Sequence, residues 1–261
     1  RSLQIRNNKM PFYINNVTMS DPGDAPFVPD LLKGLFLNFN AAIDAPGDGN
    51  RVSSIIMRHG NGAVSGDYTF DRLRGTGTQK PLSLVVGAES FINFDGNSTL
   101  SNNSAGSTLI EGAFTEAFRV RINDWASLTG NSGIRRGIPN YTAGYRSGGS
   151  VGVLAAGGGA TSPTWTNLST GMQEQEWGTV IVVYDDINGD RFLAGSGGVS
   201  SIDIAAGARI KGMGFGANNE TTGLAGKFDM SHYTLWNRAL TAEEMQITRE
   251  IFNSRGDIQD F

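Results

Sequence analysis

Apolar side chains in this chain recur on every second residue in short bursts, and the bursts are separated by clusters of Gly, Asn and Asp. Leu35-Phe36-Leu37-Asn38-Phe39-Asn40-Ala41-Ala42-Ile43 sets the pattern. In an extended backbone alternate side chains point the same way, so one face of such a segment meets a core. Pro46-Gly47-Asp48-Gly49-Asn50 then turns the chain. Comparable segments follow at Val52–Arg58, Leu82–Val86, Phe91–Phe94, Phe114–Ile122, Val151–Leu154, Thr179–Tyr184, Ile202–Ile204, Ile210–Phe215 and Phe228–Trp236. Gly accounts for 36 of the 261 residues, about twice the usual share of roughly 7%, which suits a chain of many short strands and frequent turns. Strands so closely spaced, with turn residues between them, predict a sandwich of two antiparallel sheets and not βαβ units.

Within Phe114, Glu116, Phe118, Val120 and Ile122 the carboxylate interrupts an apolar row, and the reading is that Glu116 occupies the exposed end of its strand. One segment alone has helical spacing. Thr241 followed by Glu244 forms a capping box, and Met245, Ile247, Ile251 and Phe252 supply an apolar stripe. Gly256 after Arg255 is placed to end the helix in the left-handed conformation. Residues 1–30, broken by Pro22, Gly23, Pro26 and Pro29, read as an irregular arm or stem, and residues 31–261 as one domain. The start reads as a piece cut from a longer chain.

Composition excludes several function classes. A net charge of −4, with no basic cluster larger than Arg135-Arg136, lacks the positive footprint that nucleic-acid binding requires. No apolar run approaches the roughly 20 residues needed to cross a bilayer, so no membrane insertion is expected. The absence of Cys rules out a disulfide framework and thiolate metal sites, and suits a bacterial or viral protein better than an animal extracellular one.

Four segments in order carry a family resemblance: Phe94-Asp95-Gly96, Phe114–Val120, Glu176–Asp185, and Gly226-Lys227-Phe228-Asp229 leading to Leu235-Trp236-Asn237-Arg238-Ala239-Leu240-Thr241-Ala242-Glu243-Glu244-Met245. This succession resembles laminin-G-like and concanavalin A-like jelly rolls, whose last strand runs into an Asn-Arg-Ala-Leu corner and a capped helix. The resemblance spans about Leu82 to Phe252. It implies an all-β, two-sheet antiparallel β-sandwich with a short C-terminal helix. That scaffold hosts lectins, glycan hydrolases, adhesion modules and structural domains alike, so function must come from a site. The cysteine-free, Gly/Ser/Asn-rich texture further resembles the receptor-binding end of a bacteriophage tail fibre, which implies a homotrimer on a virion, or otherwise a soluble extracellular protein.

Catalysis finds few of its parts here. Glycoside hydrolysis needs two carboxylates facing across a cleft, and the nearest candidate, Glu174-Gln175-Glu176, lies in a turn-rich stretch that reads as a solvated loop. His59 and His232 are far apart in sequence, and neither belongs to a metal-binding triplet. His232 falls out of phase with Tyr233 and Leu235 and reads as a sheet histidine. Asp186-Ile187-Asn188-Gly189-Asp190 resembles half of an EF-hand loop, but Arg191 stands where that loop needs Gly, so Asn188-Gly189 reads as a hairpin turn. No cofactor is expected; a calcium site assembled from distant loops stays open.

Sugar binding asks for an aromatic face to stack on pyranose C–H groups and for amides or guanidiniums to take the hydroxyls. The long loop read from Thr129 to Ser150 offers Arg135, Arg136, Asn140, Tyr141 and Tyr145. Ser162–Asn167 adds Trp165, and Phe215–Thr222 adds Asn218 and Asn219. Trp125, Trp177 and Trp236, beside strands, read as core. Three functions follow in order: a module that recognises cell-surface polysaccharide or another host glycan, a polysaccharide-degrading enzyme, and a structural domain of a viral fibre.

Overall fold

The computed structural model describes residues 30–45, 47–59, 69–70, 79–101, 108–110, 112–124, 127, 134–137, 141–146, 150–155, 164–169, 172–202, 210–211, 214–216 and 226–260. Its strands in chain order begin with β1 (Leu35–Asn40), β2 (Ile55–Ile56), β3 (Arg58–His59), β4 (Thr69–Phe70), β5 (Leu82–Val86), β6 (Glu89–Asp95), β7 (Leu100–Ser101), β8 (Thr108–Ile110) and β9 (Phe114–Asp124). They continue with β10 (Arg135–Gly137), β11 (Tyr141–Arg146), β12 (Ser150–Ala155), β13 (Thr164–Ser169), β14 (Trp177–Tyr184) and β15 (Asp190–Ala194). The last are β16 (Ser200–Ile202), β17 (Ile210–Lys211), β18 (Gly214–Phe215) and β19 (Lys227–Trp236). One turn of helix, α1 (Ala41–Asp44), follows β1, and α2 (Ala242–Asn253) follows β19. No described helix is long and apolar enough to cross a membrane.

Two antiparallel sheets dominate. The larger has nine strands, ordered β16-β15-β14-β9-β19-β1-β3, with β6 and β5 joined through β19; the smaller has six, ordered β13-β12-β11-β10-β18-β7. Strand β19 is long enough for two shorter strands to share one of its edges: residues 232–236 pair with β1 and residues 227–230 with β6. A register shift between Met230 and His232, against β9, marks the junction. This bulge moves the alternation by one position. Phe228 and Met230 face the inter-sheet core before it, Tyr233 and Leu235 after it.

Between the sheets, Phe94 stacks on Phe228 at 4.5 Å and Phe114 on Tyr184 at 4.2 Å. Tyr233 of the larger sheet meets Phe215 of the smaller at 5.2 Å, edge to face. A second apolar cluster, including Ala117, Ile181, Val183, Trp236, Met245 and Phe252, lies on the opposite side of the larger sheet beneath α2. Burying each of the larger aliphatic or Phe side chains contributes about 1.5–3 kcal/mol before conformational entropy is subtracted.

The Asn-Arg-Ala-Leu corner has identifiable work. Asn237 N donates to Gly34 O, Leu240 N donates to Thr115 Oγ1, and Arg238 holds both Glu244 carboxylate oxygens at 2.7 and 2.8 Å. Glu244 also accepts from Thr241 N and Thr241 Oγ1 from Glu244 N, completing the expected capping box. The chain end is pinned to the first strands, because Asp257 accepts from Asn38 and Arg58, while Thr234 donates to Asn38.

Several expectations need correction. The first strand ends at Asn40, whose side chain accepts from Ala42 N and caps α1, so Ile43 leaves the sheet and is exposed. Val52–Arg58 is no single strand, and Ile210–Phe215 divides between two sheets. Glu116 is fully buried, not at an exposed end; the Tyr233 hydroxyl donates to it at 2.7 Å, which satisfies a carboxylate that the apolar row could not. The left-handed residue closing α2 is Arg255, at φ 64°, and Gly256 N donates back to Ile251 O. That is the six-to-one bond of a Schellman ending one residue earlier than expected.

Candidate functional site

On β9 the residues pointing away from the inter-sheet core are Thr115, Ala117, Arg119 and Arg121. The row passes from the apolar ground beneath α2 into a polar field beyond the helix end. Arg119, only 4% exposed, donates to both Glu89 oxygens at 2.7 and 2.9 Å and to Ser231 Oγ at 3.0 Å. Arg121 donates through Nε and Nη2 to Asp229 at 2.8 and 2.7 Å, and Asn93 caps the other Asp229 oxygen at 2.7 Å.

Trp177, first residue of β14 and the Cα partner of Arg121, lies under both guanidiniums. The Arg119 Cζ is 4.6 Å and the Arg121 Cζ 5.1 Å from its ring, and Phe91 meets its edge at 5.6 Å. Cations over an indole face are attracted by the ring quadrupole, so the ring is held from the sheet side. Hydrogen bonding to Arg119 keeps the Glu89 carboxyl below its ordinary value. Beside these groups, burial reinforced by the Arg119 charge depresses the His232 imidazole to about 4. Its Nδ1 pairs with Ser231 Oγ, and its ring packs on Phe252 at 4.9 Å, so it is a buried, neutral sheet histidine.

Adjoining Trp177 is a cleft of about 370 Å³ between the start of β14, the end of β15 and the last turn of α2. Its lining includes Gln173, Glu176, Trp177, Thr179, Ser196 and Asn253. Met172 packs on Gly178, where a Cβ would come within 2.6 Å of the thioether methyl. Gln175 adopts φ 62° and donates its N–H to Ile122 O at 2.7 Å, which fixes the turn that carries Gln173 and Glu176. Left-handed geometry at a non-Gly residue costs about 1–2 kcal/mol. Thr179 Oγ1 donates to Asn253 Oδ1 at 3.2 Å, joining sheet to helix end. An aromatic ring among amides, hydroxyls and one carboxylate is equipped to pack on apolar C–H groups and exchange hydrogen bonds with hydroxyls.

Of the residues singled out from sequence, Asn140, Asn218 and Asn219 lie outside the described residues, as does Trp125. The stretch 129–150, read as one long loop, contains β10 and β11, and Trp165 lies in β13. Arg135 and Arg136 are Cα partners of Phe215 and Gly214, and Tyr141 pairs with Gly137 and Ala155. Tyr145 pairs with Val151, and Trp165 pairs with Leu154, which in turn pairs with Thr142. The strands bring these five residues into the smaller sheet, away from the Trp177 cleft. Glycines diluted the alternation in Tyr141-Thr142-Ala143-Gly144-Tyr145-Arg146, which is why it read as loop.

Trp236 is core as expected, fully buried with Nε1 donating to Leu31 O. Trp177 is not; it sits on the outer face and lines the cleft. The signal for this was present in Arg119 and Arg121, alternating with Phe118, Val120 and Ile122 and so declaring a polar outer face. Glu174 and Glu176 are exposed on their turn. Asp186–Asn188 form the tip of the β14–β15 hairpin, where Asp185 accepts from the N–H groups of Ile187 and Asn188. Among the described residues no group of three or more His, Asp or Glu could hold a metal ion.

No family model matches the chain, and no curated protein matches it. Solved structures do share the fold. The binding domain of Paraclostridial Mosquitocidal Protein 1 superposes with a TM-score of 0.56 at 12% identity, covering 85% of this chain and 53% of its own. The botulinum neurotoxin serotype D ligand-binding domain in complex with N-acetylneuraminic acid gives 0.55 at 10%, covering 84% and 51%. The botulinum neurotoxin DC binding domain in complex with rat synaptotagmin II gives 0.55 at 12%, covering 86% and 52%. The chain thus spans about half the length of the structures it matches. At these identities the likeness establishes the β-sandwich and carries no site across.

Proposed function

We propose that the chain is a glycan-binding module for receptor recognition, and that the cleft beside Trp177 holds the sugar. The observation that carries this reading is the clamped indole opening onto a cleft of about 370 Å³ lined by Gln173, Thr179, Ser196 and Asn253. The fold supports it, since structures sharing the fold are described as binding N-acetylneuraminic acid, and as entering cells through two ganglioside molecules. Residues 31–261 act as one module and residues 1–30 as its arm. The narrower setting, the tip of a bacteriophage tail fibre working as an extracellular homotrimer, rests on sequence texture; linked copies would raise the avidity of a shallow sugar site.

The test is retention of the purified chain on immobilised cell-surface polysaccharides, with release of shorter oligosaccharides followed in parallel. Trp177→Ala should lower affinity by about tenfold or more, a change worth about 1.4 kcal/mol, with a cooperative melt showing that the variant is still folded. Retention that survives Trp177→Ala and is lost in Trp165→Ala or Tyr141→Ala moves the site to the smaller sheet. Release of oligosaccharide replaces the binding reading with the degrading enzyme and points to Glu174 and Glu176. Binding to no glycan favours the structural reading.

A further inference from the structure

Resting on the reading of the Trp177 cleft as a sugar site, we infer that it selects the uncharged end of a glycan and excludes acidic sugars. The acidic side chain in its lining is the exposed carboxylate of Glu176. An incoming sialic or uronic acid therefore meets like charge.

The two guanidiniums over Trp177 are already tied to protein acceptors. Arg119 is held by Glu89 and Ser231 and Arg121 by Asp229, while the exposed Arg255 touches Glu89 at 3.5 Å. Arg249, on α2, donates to the carbonyls of Gly195 and Gly197 and pairs with the Gln246 side chain. A carboxylate or sulfate ligand is ordinarily met by a free fork of N–H donors, and the residues that line the cleft include no Arg or Lys.

The helix end adds a second, independent bias. Asn253 is the last residue of α2, so the cleft faces the carbonyl end of a 12-residue helix. The partial negative charge there repels anions and welcomes hydroxyl donors. Gln173, Ser196 and Asn253 can both donate to and accept from sugar hydroxyls, while the Thr179 hydroxyl gives its proton to Asn253 Oδ1. A cleft of about 370 Å³ stands at the small end of the range for ligand pockets, about 300–1,000 Å³, and suits the terminus of a glycan better than an internal stretch.

The experiment is titration calorimetry of the purified chain with paired oligosaccharides, each neutral glycan against the same glycan extended by sialic acid or carrying a uronic acid. Wild type is compared with Trp177→Ala, Asn253→Ala and Glu176→Gln, and melting curves report folding. The neutral member should bind at least tenfold more tightly than its acidic partner, with little dependence on salt. Both Trp177→Ala and the exposed Asn253→Ala should weaken it, and Glu176→Gln should narrow the gap between the pair. Acidic glycans binding as tightly as neutral ones, weakened by salt and by Trp177→Ala, overturn the selectivity while the sugar site stands. Glycan binding unmoved by Trp177→Ala and Asn253→Ala, or no glycan binding at all, removes the site and the inference with it.

Discussion

Replacing Glu89 by Gln tests whether the Arg119 pair holds the outer face of the larger sheet together. Arg119 is 4% exposed, and its two bonds to Glu89, 2.7 and 2.9 Å long, join opposite charges. Gln keeps one acceptor oxygen and loses the second along with the charge. A hydrogen bond to a charged group contributes about 1.5–3 kcal/mol, and breaking a fully buried ion pair costs about 3–5 kcal/mol. The Glu89 side chain retains 21% of its exposure, so water reclaims part of that loss and the expected cost is about 2 kcal/mol. The exposed Arg255 contact adds little, as surface pairs do.

For a chain of this size that corresponds to a fall in Tm of roughly 4–8 °C, readable by thermal melts and by urea unfolding at constant m-value. The double variant Glu89→Leu with Arg119→Met, which removes both charges, should return to within about 1 kcal/mol of wild type, because an apolar pair leaves no charge stranded. A Glu89→Gln cost below about 0.5 kcal/mol, the range of an ordinary surface change, refutes the reasoning. The pair also has a pH signature. The Glu89 pKa is lowered in the fold below its ordinary 4.5. Its stabilisation is therefore present above pH 4.5 and is lost as pH falls through the lower folded value. Glu89→Gln should flatten that acid limb.

His232 should add a second acid limb: with 6.5 as its ordinary value and about 4 in the fold, the unfolded chain binds the extra proton, so stability declines as pH falls from 6.5 towards 4. Urea unfolding across that range should show the slope in wild type and its loss in His232→Gln. Gly216→Ala should cost about 3 kcal/mol or more, from left-handed strain and overpacking together, because Gly216 has φ 78° and a Cβ there would lie 2.5 Å from Ser98 O and 2.6 Å from the Phe94 ring. Gly189→Ala, at φ 91° with open space, should cost only about 1 kcal/mol in the same melts. Thr241→Ala should cost about 1 kcal/mol through loss of the α2 cap, read in the same way.

The sequence by itself determined the class of fold, the placement of most long strands and the C-terminal helix. Those features rest on local rules: period-two alternation in Phe114–Ile122 and Phe228–Trp236, Gly and Asn between strands, and the Thr241–Glu244 capping box all act within a few residues. Tertiary structure decided the rest. Glu116 is buried because a tyrosine 117 positions away donates to it. The phase of β19 changes at a bulge that exists only in pairing with β9, so no window of sequence displays it. Trp177 became a candidate ligand platform only when β9 delivered Arg119 and Arg121 over its ring, and when Asn253 at the far end of α2 closed the cleft from the other side. A binding surface is made of side chains distant in sequence, and which of them share a face is settled by strand register and helix docking.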